Sequence, residues 1–517
     1  MKECMKKVVC VMCAIIMLTL SGCAGASADS PNVMPSAKAS DADVPTRDTI
    51  IIATESEPPS LHPFDHKSVT ASFMNKLTYD YLFVPNFQTL EPEPSLVKEY
   101  SNPTQKEWLF TIHDNVEFHN GSKMTAEDVK ASMDYARTFT TTKDYTAFWS
   151  DVSVVDEYTI KVTTNEVYAL VLNSLCNIRV LPKDLIEAEH DFYNNPIGSG
   201  PYKFVEHILG DSLEFEKNDN YFNEEHQPSI TKMLWRIIPE GSSRTIALEA
   251  GEVDVVIEVA TASIERLKAA EDIELVTVRG TRVNFLAMNS EEAPFDNKLF
   301  RRAVNAAIDK EAVVAIALDG EGHVALSQTP TVFNGTNAEN TDIYDLELAK
   351  KYLADSGVDV EGLSIPCVVS TDTARKTAEI IQANLSDLGI EVTIDSMDYA
   401  AYLQAIMGAN YIMAVSGYTS NDFNYFTSGL FHSGAIGASN LSQLRDDEID
   451  DFIELARTQL DEAERVDTYA KISARLNDLT PFVPLYESVV TRAYNKDLGG
   501  VEISATGQLR FEDVYWK

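Results

Sequence analysis

The sequence predicts a protein of α/β or α+β lobes, and three observations carry that prediction. A chain of 517 residues exceeds what one hydrophobic core usually serves, so two or three domains are expected. Helical periodicity twice gives way to a strand across a glycine, in "SSRTIALEAGEVDVVIEV" at Gly251 and in "TARKTAEIIQANLSDLGIEVTI" at Gly389. Between such units lie stretches patterned as hairpins and buried strands.

In chain order, folded sequence begins at "DTIIIAT", a β-branched run typical of a buried strand. "EWLFTIHDNVEF" reads as a hairpin turning at Asp114-Asn115, with a second turn at Asn120-Gly121. "MTAEDVKASMDYAR" reads as a helix opening on a capping box. Gly198 and Gly200, around Ser199, permit backbone angles that other residues resist. Pro294 is a stop, after which Leu299, Ala303, Ala306 and Ala307 form a small-residue helical face suited to lying close to a sheet. In the second helix–strand unit Ala378, Ile381, Leu385 and Leu388 share a helical face, and Ile390, Val392 and Ile394 alternate. "DLELAKKYLADSG" and "DDEIDDFIELARTQLDEAERVDTYAKISARL" are further amphipathic helices.

The N-terminus has its own logic. Lys2, Lys6 and Lys7 precede an apolar run from Val8 to Leu20 that is too short to span a membrane comfortably, the pattern of an export signal over residues 1–22. It ends in Leu20-Ser21-Gly22-Cys23, which resembles the bacterial lipobox. That resemblance implies lipidation of Cys23 as the first mature residue, on more than one acyl chain, since a single chain anchors only reversibly. Cys10 and Cys13 form a CxxC inside the segment that is removed, so it carries no redox or zinc role. Cys176 and Cys367 are expected to be free, buried thiols. Residues 23–47 are small, polar and proline-punctuated, a tether with a reach of roughly 25–30 Å as flexible coil.

Composition excludes some partners. The 80 acidic residues against 42 basic give a net charge of −38, which repels phosphate backbones and argues against nucleic-acid binding. No G-x-S-x-G, H-E-x-x-H, P-loop or dinucleotide fingerprint sits between a strand and a helix, so no enzyme and no cofactor is expected. His119, Glu127 and Asp128 suggest a reactive cluster at first sight. Thr125 followed by Asp128 is a helix N-cap signature, however, and first-turn acids suit the helix dipole. No second histidine stands at metal-ligand spacing, so the cluster reads as scaffold and no metal site is expected.

At this point "FTIHDNVEFHNGSKMTAEDVKAS" resembles the family 5 extracellular solute-binding proteins of ABC transporters. His113 stands where arginine is usual in the family, and Asn120 where aspartate is usual. "TESEPPSLHPF", "NPIGSGPYKFVEHILGDSLEFEKNDNYF", "LAMNSEEAPFDNKLFRRAVNAAIDKEAVV" and "TPFVPLYESVV" follow the family's order along the mature chain. The resemblance implies an α/β, two-lobed fold like that of periplasmic binding proteins (cluster C type) with an extra peripheral subdomain. Lobe I would comprise residues 48–84, 196–285 and 492–517, the subdomain 85–195, and lobe II 286–491, with crossings near residues 286 and 491 as the hinge.

It also implies a function: a lipid-anchored extracytoplasmic receptor, at the cell surface or in the periplasm, that delivers an oligopeptide to ABC permease subunits. The receptor would act as a monomer and meet the membrane through its lipid alone. Glu57 and the backbone at Pro59 match positions that contact a peptide main chain in the family. Tyr418 matches the aromatic ahead of an aspartate that pairs with the peptide ammonium; Asn421 stands in the aspartate's place, with Asp422 adjacent. A buried carboxylate facing a buried ammonium makes chemical sense because either alone is costly to desolvate. Tyr145 is a third contact from the subdomain, and Asn289 lies near the hinge. Other small solutes are the alternatives: a sugar stacked on Trp149, Phe423, Tyr425 or Phe426, an opine-like compound, or a nickel chelate held through His432.

Overall fold

The computed structural model describes residues 47–517, so Cys23 and the tether lie outside the described residues. The principal strands are β1 (Thr49–Thr54), β2 (Val97–Thr104), β3 (Glu107–Ile112), β4 (Trp149–Val154), β5 (Thr159–Thr164), β6 (Tyr202–Ile208), β7 (Ser212–Lys217) and β8 (Lys232–Ile237). They continue with β9 (Val255–Val256), β10 (Ile273–Met288), β11 (His323–Val324), β12 (Ser364–Val369), β13 (Glu391–Ser396), β14 (Met413–Thr419) and β15 (Phe482–Asn495). A sheet of 11 strands runs β13-β12-β14-β10-β15-β9-β1-β8-β7-β6, with β11 paired to β15; a separate sheet of 4 runs β2-β3-β5-β4.

Two long strands unite the large sheet. β10 and β15 pair antiparallel from Ile273↔Asn495 to Ala287↔Phe482, but the register slips between Arg279↔Val489 and Val283↔Glu487. Gly280, Thr281 and Arg282 form a bulge on β10 there. On one side of the slip β15 joins β9 through Ala493 and Tyr494; on the other, β10 joins β14 from Arg282↔Thr419 to Met288↔Met413. A Cβ on Gly280 would lie 2.9 Å from the Ser488 carbonyl oxygen, so this approach of the two chains needs glycine. Beside the slip the buried Glu487 carboxylate accepts from Thr331 N–H at 3.1 Å, Thr331 Oγ1 at 2.8 Å and Arg279 Nη1 at 3.3 Å. Burial pushes its pKa up, and these donors oppose the rise.

Each part has its own core. Ile50, Phe73, Trp235 and Phe511 pack on the β1 side, Phe300, Ile381 and Met413 on the β12 side, and Phe110, Met133 and Trp149 around the smaller sheet. The helix–glycine–strand unit appears as read: α3 (Asp372–Ser386), Gly389 at φ +78°, then β13.

Two readings are corrected. β3 does not pair with residues 116–118; it lies between β2 and β5. The Asp114-Asn115 turn is present, but the strand it leaves finds partners distant in sequence, whereas Asn120-Gly121 does close a short bridge, Glu117↔Lys123. Gly198 and Gly200 are also needed for a different reason, because neither has a positive φ. The segment runs against the C-terminal end of α1 (Val69–Thr78), and a Cβ on Gly200 would sit 2.5 Å from the Leu77 carbonyl oxygen.

The same junction accounts for His119. Its Nε2 lies 3.0 Å from the Gly200 carbonyl oxygen, and its backbone N–H donates to Gly198 O at 2.7 Å. Burial pushes the imidazole pKa down to about 4, so it is uncharged at neutral pH. Asp128 caps α2 (Ala126–Ala136), accepting from Thr125 N–H at 2.8 Å and from Lys183 N–H at 2.8 Å, while Glu127 pairs with Lys183 at 3.3 Å. The cluster is scaffold. Gly200→Ala is expected to destabilise the protein by about 1–3 kcal/mol through overpacking, read as a lowered urea midpoint with an unchanged slope.

Candidate ligand-binding site

A cleft of about 690 Å³ opens over the bulge. Its walls come from Gly280–Arg282 on β10, the end of β14 and the two residues after it (Thr419–Asn421), the start of α1, and the subdomain around Tyr145 and Arg179. Both halves of the large sheet therefore contribute, and the volume lies within the about 300–1,000 Å³ usual for small-ligand sites.

Of the residues singled out from sequence, Tyr145 and Asn421 line this cleft. Burial raises the Tyr145 hydroxyl above its ordinary pKa, against the opposing charge of Arg179. Asn421 is exposed on the wall, immediately before α4 (Phe423–Leu430). Tyr418 stands beside the cleft and packs edge-on to Phe426, with ring centroids 5.3 Å apart.

The others are engaged elsewhere. Asp422 is the N-cap of α4: its carboxylate accepts from Tyr425 N–H at 3.0 Å and from Asn173 Nδ2 of the subdomain at 2.9 Å. Loss of water around that carboxylate pushes its pKa up, opposed by the backbone donors of the helix start. Asn289 is 2% exposed; it donates to the carbonyls of Ala409 and Tyr411 at 3.2 and 3.1 Å and accepts from Glu291 N–H at 3.1 Å. Glu57 turns to the β6–β7 hairpin, accepting from Gly210 N–H at 3.0 Å with His207 Nε2 at 3.2 Å, and Pro59 is exposed. None of these four lies on the cleft wall.

Sequence reasoning missed the charged residues that do line it. Lys67 and Arg179 carry no recognisable motif, and Arg282 reaches the wall through a bulge that no local pattern announces. Arg282 Nε donates to Asn284 Oδ1 at 3.0 Å and Nη1 to Thr419 Oγ1 at 3.3 Å, while Asn284 Nδ2 donates to Ser488 Oγ at 2.8 Å. Arg179 Nη1 donates to the Asn177 carbonyl at 3.0 Å, and its guanidinium lies 4.8 Å from the Tyr81 ring centroid. His66 Nδ1, Arg179 Nε and Gln508 Oε1 are buried on this wall with no hydrogen-bond partner among the described residues.

The aromatics considered for sugar stacking serve other ends. Trp149, Phe423 and Phe426 are core residues, and the Tyr425 hydroxyl meets Tyr168 and Ser174 at 3.0 and 3.1 Å. His432 Nδ1 accepts from Gly434 N–H at 2.9 Å as a turn cap. Among the described residues no three His, Cys, Asp or Glu side chains gather as a metal site, and no helix is long and apolar enough to cross a membrane. Cys176 and Cys367 are unbridged; Cys367 is buried and Cys176 half-buried.

The family model described as bacterial extracellular solute-binding proteins, family 5 Middle, matches residues 91–438. The dipeptide-binding protein of Escherichia coli is 25% identical over 513 residues, covering 90% of this chain and 94% of that protein. Heme-binding protein A of Haemophilus influenzae is 25% identical over 394 residues, covering 73% and 70%. Among solved structures, an ABC transporter-associated periplasmic binding protein of Helicobacter pylori in complex with the peptide STSA superposes with a TM-score of 0.72 at 24% identity, covering 90% and 98%.

The placement of Asn421 and Asp422 separates their roles. Asp422→Ala is expected to cost about 1 kcal/mol of stability through the lost cap. Asn421→Ala should change stability by no more than about 0.5 kcal/mol, yet weaken ligand binding roughly threefold to tenfold. Denaturant melts and binding titrations on the two variants check both.

Proposed function

The chain belongs to the bacterial extracellular solute-binding proteins of family 5, and on that premise we propose that it is the substrate-binding receptor of an ABC importer, with a peptide as its ligand. The observation that carries this reading is the position of the cleft. It sits on the slip in β10 and β15, with walls from both halves of the sheet, so a ligand held there contacts both halves at once. Contacts made only when the halves approach favour the closed form, and a permease that reads the closed form then discriminates loaded from empty receptor.

Lobe I, lobe II and the subdomain are assigned by the boundaries read from sequence, and the hinge is assigned to the slip at Gly280–Arg282 and Ser488, a few residues before the crossings expected near 286 and 491. Tyr145 and Asn421 contact the ligand from opposite walls. A peptide suits a wall of mixed polar groups: main-chain amides satisfy buried partners such as Gln508 Oε1, while side chains enter wet space. Cys23 carries the lipid that holds the receptor on the outer face of the cell membrane. Its relatives are binding proteins of transport systems, and binding and release without chemical change is the activity assigned to it.

One sample tests the reading. The full-length chain, expressed with its leader and extracted from membranes, is sprayed under native conditions and then denatured. The expected spectrum shows short peptides released from the cleft, and a mature mass that begins at Cys23 with acyl chains attached. A single non-peptide compound would overturn the peptide assignment, and an unmodified N-terminus would overturn the anchor.

A further inference from the structure

The charge of the cleft runs against the charge of the chain. The protein has nearly twice as many acidic as basic residues, 80 to 42, yet the wall carries Lys67, Arg179 and Arg282 against one carboxylate, Asp144. His66 adds no charge at neutral pH, because burial pushes its pKa down to about 4. None of the three cations forms an ion pair among the described residues.

Their hydrogen bonding leaves capacity for a ligand. A guanidinium has five N–H donors in a fixed fork. Arg179 uses Nη1 on the Asn177 carbonyl, and its Nε is buried and unpartnered although the residue is only 8% exposed. Arg282 keeps Nη2 after Nε and Nη1 are held by Asn284 and Thr419. Lys67 makes no side-chain hydrogen bond among the described residues and stands just before the N-cap Ser68 of α1, whose first turn holds no acid. A helix N-terminus adds partial positive charge at the same wall. The opposite need is poorly met: Asn421 is neutral, and the Asp422 carboxylate is taken by its own helix and by Asn173.

Resting on the peptide reading above, we propose that the cleft selects anionic peptides, those with more carboxylates than ammonium groups. The terminal and side-chain carboxylates are received by Arg179, Arg282 and the Lys67–Ser68 start of α1, and the charge-assisted hydrogen bond is strongest at the buried Arg179. Asp144 and Asn421 serve the ammonium end.

Competition on the ligand-free protein tests this, using equimolar mixtures of di-, tri- and tetra-alanine peptides in which one residue is Glu or its neutral isostere Gln. Glu members should be retained at least about tenfold over their Gln partners in native mass spectra. In Arg282→Gln that ratio should fall toward one while the Gln peptides are still retained, which separates lost anion recognition from lost folding; Arg179→Gln should give the same ratio with the same retained Gln peptides. Equal retention of Glu and Gln peptides overturns the anion selectivity and leaves the peptide reading standing. Retention of no peptide overturns both.

Discussion

The pairing of β10 with β15 is the constraint on which the rest of the structure depends. Two strands of 16 and 14 residues run antiparallel from one half of the sheet into the other, so the halves cannot separate without breaking a continuous ladder. Near its middle the ladder slips, and the slip is held by specific chemistry. Gly280 admits the Ser488 carbonyl, Asn284 ties Arg282 to Ser488, and the buried Glu487 carboxylate gathers Thr331 and Arg279. A bulge increases local twist and re-aims side chains, and here it turns Thr281 and Arg282 onto the wall of the cleft. Connection, bulge and cleft wall coincide in a few residues.

The subdomain lines the cleft through Tyr145 and Arg179, and a separate set of contacts fastens it away from that wall. Asn173 meets Asp422, Tyr168 meets Tyr425, and Asn334 donates to Glu91 at 2.9 Å. Arg179 is held by the Asn177 carbonyl and by the face of the Tyr81 ring. Helix capping and the cleft wall therefore share one short loop after β14: Asp422 secures the helix, and its neighbour Asn421 faces the cleft.

Much of the fold was legible because it is written in local chemistry. α3, Gly389 and β13 follow from helical periodicity, a left-handed glycine and alternation, all within one short stretch. The α2 start was legible from Thr125 and Asp128. What failed was non-local. The turn chemistry at Asp114-Asn115 was read correctly, but the partners of β3 lie in β2 and β5, and no turn signal names a distant strand. Gly200 looked like a residue chosen for its angles, whereas it is chosen for the backbone of α1 beside it. In the site, Tyr145 and Asn421 could be named in advance. Glu57 and Asp422 lie off the cleft wall because their partners, Gly210 and Asn173, come from elsewhere in the chain. Lys67, Arg179 and Arg282 stayed hidden because only the fold assembles them.

A ligand seated over the slip is proposed to draw the two halves of the sheet together. The most direct measurement is the distance between spin labels on Asp219→Cys and Lys376→Cys, exposed positions on opposite halves, by pulsed electron resonance with and without bound peptide. Bound peptide should shorten and narrow the distance distribution. A distribution unchanged while peptide demonstrably binds would contradict it.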